Sequence, residues 1–150
     1  MAIDRVLIAV GPNDRDHTDN LLDEALSIAA PWQATVYLLH VFPREEYNKL
    51  LEQMDFEPRS GGLQPDELAS RYESIRTPAH KLDEKDIEYE IRGVIGDPST
   101  EIVRVARELN VDRIFIGGTS RSPAGKALFG DRAQQVLLNA PCPTTYVQHD

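Results

Sequence analysis

An open, five-stranded parallel α/β sheet of order 3-2-1-4-5, with helices on both faces, is the fold this sequence predicts. Three observations predict it. Five short apolar runs alternate with segments of helical spacing along 150 residues. Runs one, two and four are apolar without interruption, as strands covered on both faces must be. Runs three and five are half polar, which places them at the edges. With strands two, one and four central and three and five outside, the order is 3-2-1-4-5, joined by right-handed crossovers.

The first run is Val6 to Val10. Thr18 is placed to cap a helix with the apolar stripe Leu21, Leu22, Ala25, Ile28 and Ala29, which should stop before Pro31. The second run is Thr35 to Phe42. The connection Pro43 to Pro65 is irregular, contains Ser60-Gly61-Gly62, and should hold a short helix over Tyr47 to Met54. Pro65 to Asp86 is helical in composition. It carries Thr77-Pro78, where either a second helical piece begins or one helix kinks.

The third run, Ile87-Glu88-Tyr89-Glu90-Ile91, alternates apolar and acidic residues. Asp97-Pro98 reads as an N-cap and a first helical residue, and Ile102, Val105, Ala106 and Leu109 follow at helical spacing. Ile114 to Ile116 is the fourth run. The last helix starts near Asp131, carries Ala133, Val136, Leu137 and Ala140 on one stripe, and ends before Pro141-Cys142-Pro143. Thr144 to Val147 is the fifth run. No second domain and no internal repeat is visible, so residues 1–150 read as one domain.

Composition narrows the function classes. The chain carries 25 acidic against 16 basic residues, a formal net charge of −9. That balance disfavours nucleic acid and anionic lipid, because phosphate contacts supply most non-specific affinity. No apolar run approaches the roughly 20 residues a membrane helix needs. The N-terminus lacks the basic-then-apolar pattern of a secretory signal, so a cytoplasmic location is expected. Cys142 is the single cysteine and can form no internal disulfide.

In an open α/β sheet, ligands bind at the carboxyl ends of the strands where the strand order reverses. Here that reversal lies between strands one and four, whose following loops are Gly11 to Thr18 and Gly117 to Gly130. The second loop reads Gly-Gly-Thr-Ser-Arg-Ser-Pro-Ala-Gly-Lys-Ala-Leu-Phe-Gly and leads to Asp131 at a helix start. A glycine-bearing loop before a helix N-terminus is a natural anion site. Asp131 stands where the anion would sit.

Several of these segments resemble the universal stress protein family. They are the opening Val-Leu-Ile-Ala-Val, Gly96-Asp97-Pro98, the Gly-Gly-Thr-Ser-Arg-Ser loop, Phe129-Gly130 and Ala140-Pro141-Cys142-Pro143. The resemblance covers essentially the whole chain. It implies a Rossmann-like fold of the adenine nucleotide alpha hydrolase-like type and a homodimer joined through the last strand. Some members bind ATP and others do not, and few have an established catalytic activity. The ATP-binding members resemble one another in a loop of Gly, two residues, Gly, nine residues, Gly, then Ser or Thr. On this chain the glycine positions fall on Gly117, Ser120 and Gly130, and the hydroxyl position on Asp131. An Asp that those members tend to carry after the first strand is here Gly11. By the family pattern, Val10, Gly11 and Val41 would line an adenine slot.

The aspartate matters most among these departures. It is ionised at neutral pH, and about 4 Å from a phosphate charge at an effective dielectric near 20 it costs about 4 kcal/mol. A helix N-terminus returns only about 0.3–1 kcal/mol. Repulsion wins unless Mg²⁺ bridges the two, or Arg121 or Lys126 offsets the charge. The plainer role for Asp131 is to cap its own helix. The reading is therefore a non-catalytic stress-response binding or regulatory domain with a degenerate loop and weak or no ATP binding. The alternative is a genuine adenine-nucleotide binder, with ATP and Mg²⁺, acting as a slow ATPase through His17 or Asp131. A pure interaction module, with Pro43 to Pro65 as its partner surface, is the third reading.

The remaining candidates read as structural. Asp14, Asp16, His17 and Asp19 suit a solvated acidic loop better than a cation site, since the glycine and terminal Glu of an EF-hand are missing. Gly118 to Lys126 has the wrong spacing for a P-loop. His40 lies in an apolar strand and should be packed; His80 and His149 should be exposed. Cys142 has no basic neighbour and reads as packing filler. Tyr37, Phe42, Phe115 and Tyr146 read as core or interface. Thr144, Thr145, Tyr146 and Val147 form an edge with no charge along it, which invites pairing with a second copy.

Overall fold

The computed structural model describes residues 2–11, 18–53, 64–118 and 131–148. Within them lie five strands and six helices: β1 (Arg5–Ala9), α1 (Thr18–Trp32), β2 (Thr35–Phe42), α2 (Arg44–Gln53), α3 (Pro65–Arg71), α4 (Glu73–Glu84), β3 (Tyr89–Ile95), α5 (Pro98–Leu109), β4 (Arg113–Gly118), α6 (Asp131–Asn139) and β5 (Thr144–Gln148). All strand pairs are parallel and the order is β3-β2-β1-β4-β5, as the hydrophobic pattern predicts.

Side-chain alternation along the strands divides the core. Val6 and Ile8 of β1 with Val10 just after it, Val36 and Leu38 of β2 and Phe115 of β4 pack against Leu21, Leu22 and Ala25 of α1 and Ile75, Ala79 and Leu82 of α4. The neighbouring residues Leu7, Ala9, Tyr37, Leu39, Val41, Ile114 and Ile116 pack instead against α5 and α6. A third cluster, Phe42, Tyr47, Leu51, Leu68 and Ala69, joins α2 and α3 to the end of β2.

The short helix expected over Tyr47 to Met54 is α2, which starts earlier, at Arg44, and ends at Gln53. Three other expected boundaries move, each for a local reason. Helix α1 continues through Pro31 to Trp32 instead of stopping before the proline. Pro31 is exposed and one residue from the end, so the missing donor and the ring clash fall where little helix remains. The Pro65–Asp86 segment breaks at Tyr72, which is extended at φ −71° and ψ 135°, and Pro78 lies inside α4. The ring of Tyr72 packs edge-on against His40 and Phe42, at centroid distances of 4.7 and 5.2 Å. Tertiary packing of one aromatic thus outweighs the local signal at Thr77. Strand β3 starts two residues later than expected and runs on to Ile95. Ile87 is taken up by the end of α4, where its N–H donates to Leu82 O at 3.0 Å.

Helices α1, α4 and α5 end alike. Gln33, Asp86 and Asn110 adopt left-handed conformations at φ 54°, 59° and 52°. The next residue in each case, Ala34, Ile87 or Val111, returns its N–H to a carbonyl five residues back at 2.9–3.2 Å. At this pole of the sheet Asp112 Oδ2 accepts from the N–H groups of Asp4 and Arg5, at 2.8 and 3.1 Å.

Candidate functional site

The crevice at the carboxyl end of the sheet is built where β1 and β4 part. Backbone geometry brings Ala9 at the end of β1 with Val10 and Gly11 just after it, Leu39 and Val41 from β2, and Ile116 and Gly117 from β4 to one place. Pro98 and Ile102 of α5 and Arg132 and Ala133 of α6 close it. The cavity is about 20 Å³. A single water needs roughly 10–15 Å³ by this measure, while small-molecule pockets run to roughly 300–1,000 Å³.

The walls have clear local causes. Asp97 caps α5: its Oδ2 accepts from Thr100 N at 3.2 Å, Thr100 Oγ1 at 2.9 Å and Ser99 Oγ at 2.9 Å. Those bonds, the Ser99 hydroxyl first, hold the Asp97 carboxyl below the usual carboxylate range. Pro98 then opens α5 as the sequence predicts. Arg132 enters from the first turn of α6. A Cβ placed on Gly11 would lie 2.7 and 2.9 Å from the two guanidinium nitrogens of Arg132 and 3.2 Å from its Cζ. Glycine at position 11 thus leaves the guanidinium its room.

Beneath the crevice lies His40, fully buried in β2. Its Nδ1 donates to Val10 O at 2.9 Å, and its Nε2 has no hydrogen-bond partner. Phe42 meets the ring edge-on at a centroid distance of 4.4 Å. Burial pushes the imidazole pKa below its ordinary value. The Val10 carbonyl and Glu46 act against that shift, and Arg132 adds to it. This histidine is therefore neutral. Tyr72 Oη donates to Glu46 Oε1 at 2.8 Å, and burial together with that acceptor pushes its phenol well above the usual range.

Residues 2–148 match the universal stress protein family. The chain belongs to that family. It is 26% identical over 124 residues to a universal stress protein of Methanocaldococcus jannaschii, an alignment covering 83% of this chain and 71% of that one. The universal stress protein UspA from Lactobacillus plantarum has a TM-score of 0.72 at 19% identity, over 98% of this chain and 99% of its own. A universal stress protein solved in complex with cAMP gives 0.67 at 20% identity, with all of both chains covered. One from Archaeoglobus fulgidus in complex with dAMP gives 0.61 at 20% identity, over 98% of this chain and 99% of its own. At these identities the structural likeness speaks for the fold. It is the adenine nucleotide alpha hydrolase-like sheet that the family resemblance implies.

Of the residues singled out from sequence, Val10, Gly11, Val41 and Gly117 come together around one cavity. Asp131 is the first residue of α6, and its side chain lies outside the described residues. Ser120, Arg121, Lys126, Gly130, Asp14, Asp16, His17 and His149 also lie outside them. Asp19 is engaged with Lys81 Nζ. Among the described residues no three His, Cys, Asp or Glu side chains are grouped to hold a metal ion. His80 is exposed and contacts Glu84 Oε1 at 3.0 Å. Cys142 is half-buried against the α5–α6 side of the core, and burial pushes its thiol up, away from nucleophile chemistry. Among the described residues, no helix is long and apolar enough to cross a membrane.

Sequence reasoning missed Arg132. It considered Arg121 and Lys126 as the cations of this region, because both lie inside the glycine-bearing loop. The available signal was topological. The first turn of the helix after β4 faces the fork, and an absent side chain at position 11 makes space for a long one opposite.

Proposed function

We propose that this universal stress protein is a cytoplasmic, non-catalytic binding or regulatory domain whose nucleotide crevice is degenerate, with weak or no ATP binding. The observation that carries the reading is the cavity of about 20 Å³ lined by Val10, Gly11, Val41 and Gly117. It has room for a water but not for an adenine ring. Asp131 at the start of α6, where nucleotide-binding relatives resemble one another in Ser or Thr, supports the reading through its charge.

Titration calorimetry with Mg-ATP tests the proposal. Heats at the dilution baseline up to about millimolar nucleotide are expected for the native chain. Micromolar Mg-ATP affinity in the native chain would overturn the reading in favour of a genuine nucleotide-binding protein. The cAMP and dAMP complexes of related chains support that second reading.

The proposal includes a homodimer paired through β5, by Thr144, Thr145, Tyr146 and Val147. The strand bears no charged side chain and comes last in the sheet order, beyond β4, and an edge strand is a template for a second chain. Sedimentation velocity should give twice the 16.8 kDa chain mass.

A further inference from the structure

We propose that Arg132 is a built-in plug that sets the size of the crevice, and with it which ligands enter; this deepens the reading above and rests on it. The guanidinium lies against Gly11, so close that a β-carbon on that glycine would approach two of its nitrogens to 2.7 and 2.9 Å. It therefore stands in the fork between β1 and β4. Outside it a second hollow of about 280 Å³ opens, lined by Asp97, Pro98, Ser99, Arg132 and Gln135. Arg132 and Pro98 are the two residues shared by the inner cavity and the outer hollow. Pro98 is fixed in the first turn of α5, whereas the arginine is a long side chain that turns about its own bonds.

Arg132 is thus the movable partition. With it in place the inner compartment admits a water. With it withdrawn, inner and outer spaces merge and reach the lower end of the roughly 300–1,000 Å³ of small-molecule pockets. The inner walls then exposed are Ala9, Val10, Leu39, Val41 and Ile116, an apolar slot suited to one face of a flat heteroaromatic ring. The ligand class admitted on withdrawal is a nucleoside. Arg132 excludes it by occupying volume, independently of any phosphate and so of the charge on Asp131.

Adenosine is the probe, because it carries no phosphate. The native chain and Arg132→Ala are titrated, with amide chemical shifts of Gly11, Val41 and Gly117 followed by NMR. At least tenfold tighter adenosine binding by Arg132→Ala, with shifts at all three amides, is expected. Equal affinity in the two folded proteins overturns the plug, whatever Mg-ATP does with the native chain. Should Arg132→Ala fail to fold, Arg132→Gln serves in its place, with the same gain expected and the same equality fatal.

Discussion

The two edges of the sheet are built differently. Edge β3 is covered. Helix α3 lies along it so closely that a Cβ on Gly93 would come within 2.1 Å of Pro65 O, and Asp66 Oδ1 accepts from Gly93 N at 2.7 Å. Edge β5 keeps an uncharged Thr-Thr-Tyr-Val-Gln strand at the opposite side. Exposed Leu138, and Leu137, which sequence spacing assigned to the buried stripe of α6, lie on the helix before it. An open strand edge is a template for another chain. One edge is covered by its own helix, and the other is the edge proposed above to pair with a second copy.

Gly93→Ala should break this contrast most severely. The added methyl meets backbone, which cannot turn aside as a side chain would, so a loss of about 3 kcal/mol is expected in urea unfolding. The displaced α3 should also expose β3, and light scattering should then report larger assemblies. A Gly93→Ala protein of native stability and native mass would show that α3 has slack. Asp66→Ala comes next. It leaves the Gly93 amide without its carboxylate, for about 1.5 kcal/mol of stability.

His40 lies one strand inward of Gly93, its register partner. Its folded pKa is below the ordinary value near 6.5, so the unfolded chain binds the proton more readily. Stability conferred by the neutral ring is full above about pH 6.5 and declines as pH falls toward the folded pKa. The slope is at most about 1.4 kcal/mol per pH unit for one proton. Urea midpoints between pH 7 and 5 should fall more steeply for the native chain than for His40→Gln, and parallel curves would refute the assignment. Thr145→Lys has the smallest expected effect on the fold, under about 0.5 kcal/mol at an exposed site. It should nevertheless halve the mass seen by sedimentation, since a lysine blunts an open edge. An unchanged dimer would move the interface elsewhere.

The sheet was legible because burial on both faces leaves continuous apolar runs, as at Val36 to Phe42, and half-covered edges leave alternation, as at Tyr89 to Ile91. The cap at Asp97-Pro98 was legible because it is local chemistry. The break at Tyr72 was not. It depends on a ring finding His40 and Phe42, contacts about thirty residues distant in the chain. The crevice floor at Val10, Gly11, Val41 and Gly117 followed from topology together with resemblance. Its plug did not, because Arg132 is an unremarkable helix arginine until the fold sets it against a missing side chain.

Three left-handed turns at Gln33, Asp86 and Asn110 close the amino end of the sheet into short, hydrogen-bonded returns. The movable side chain of the crevice, Arg132, stands at the opposite pole. A reporter dye beside Gln33 or Asn110 should respond less to a guest in the crevice than one near the β1–β4 fork. The same asymmetry tells a protein engineer where grafted segments can be carried without loosening the frame.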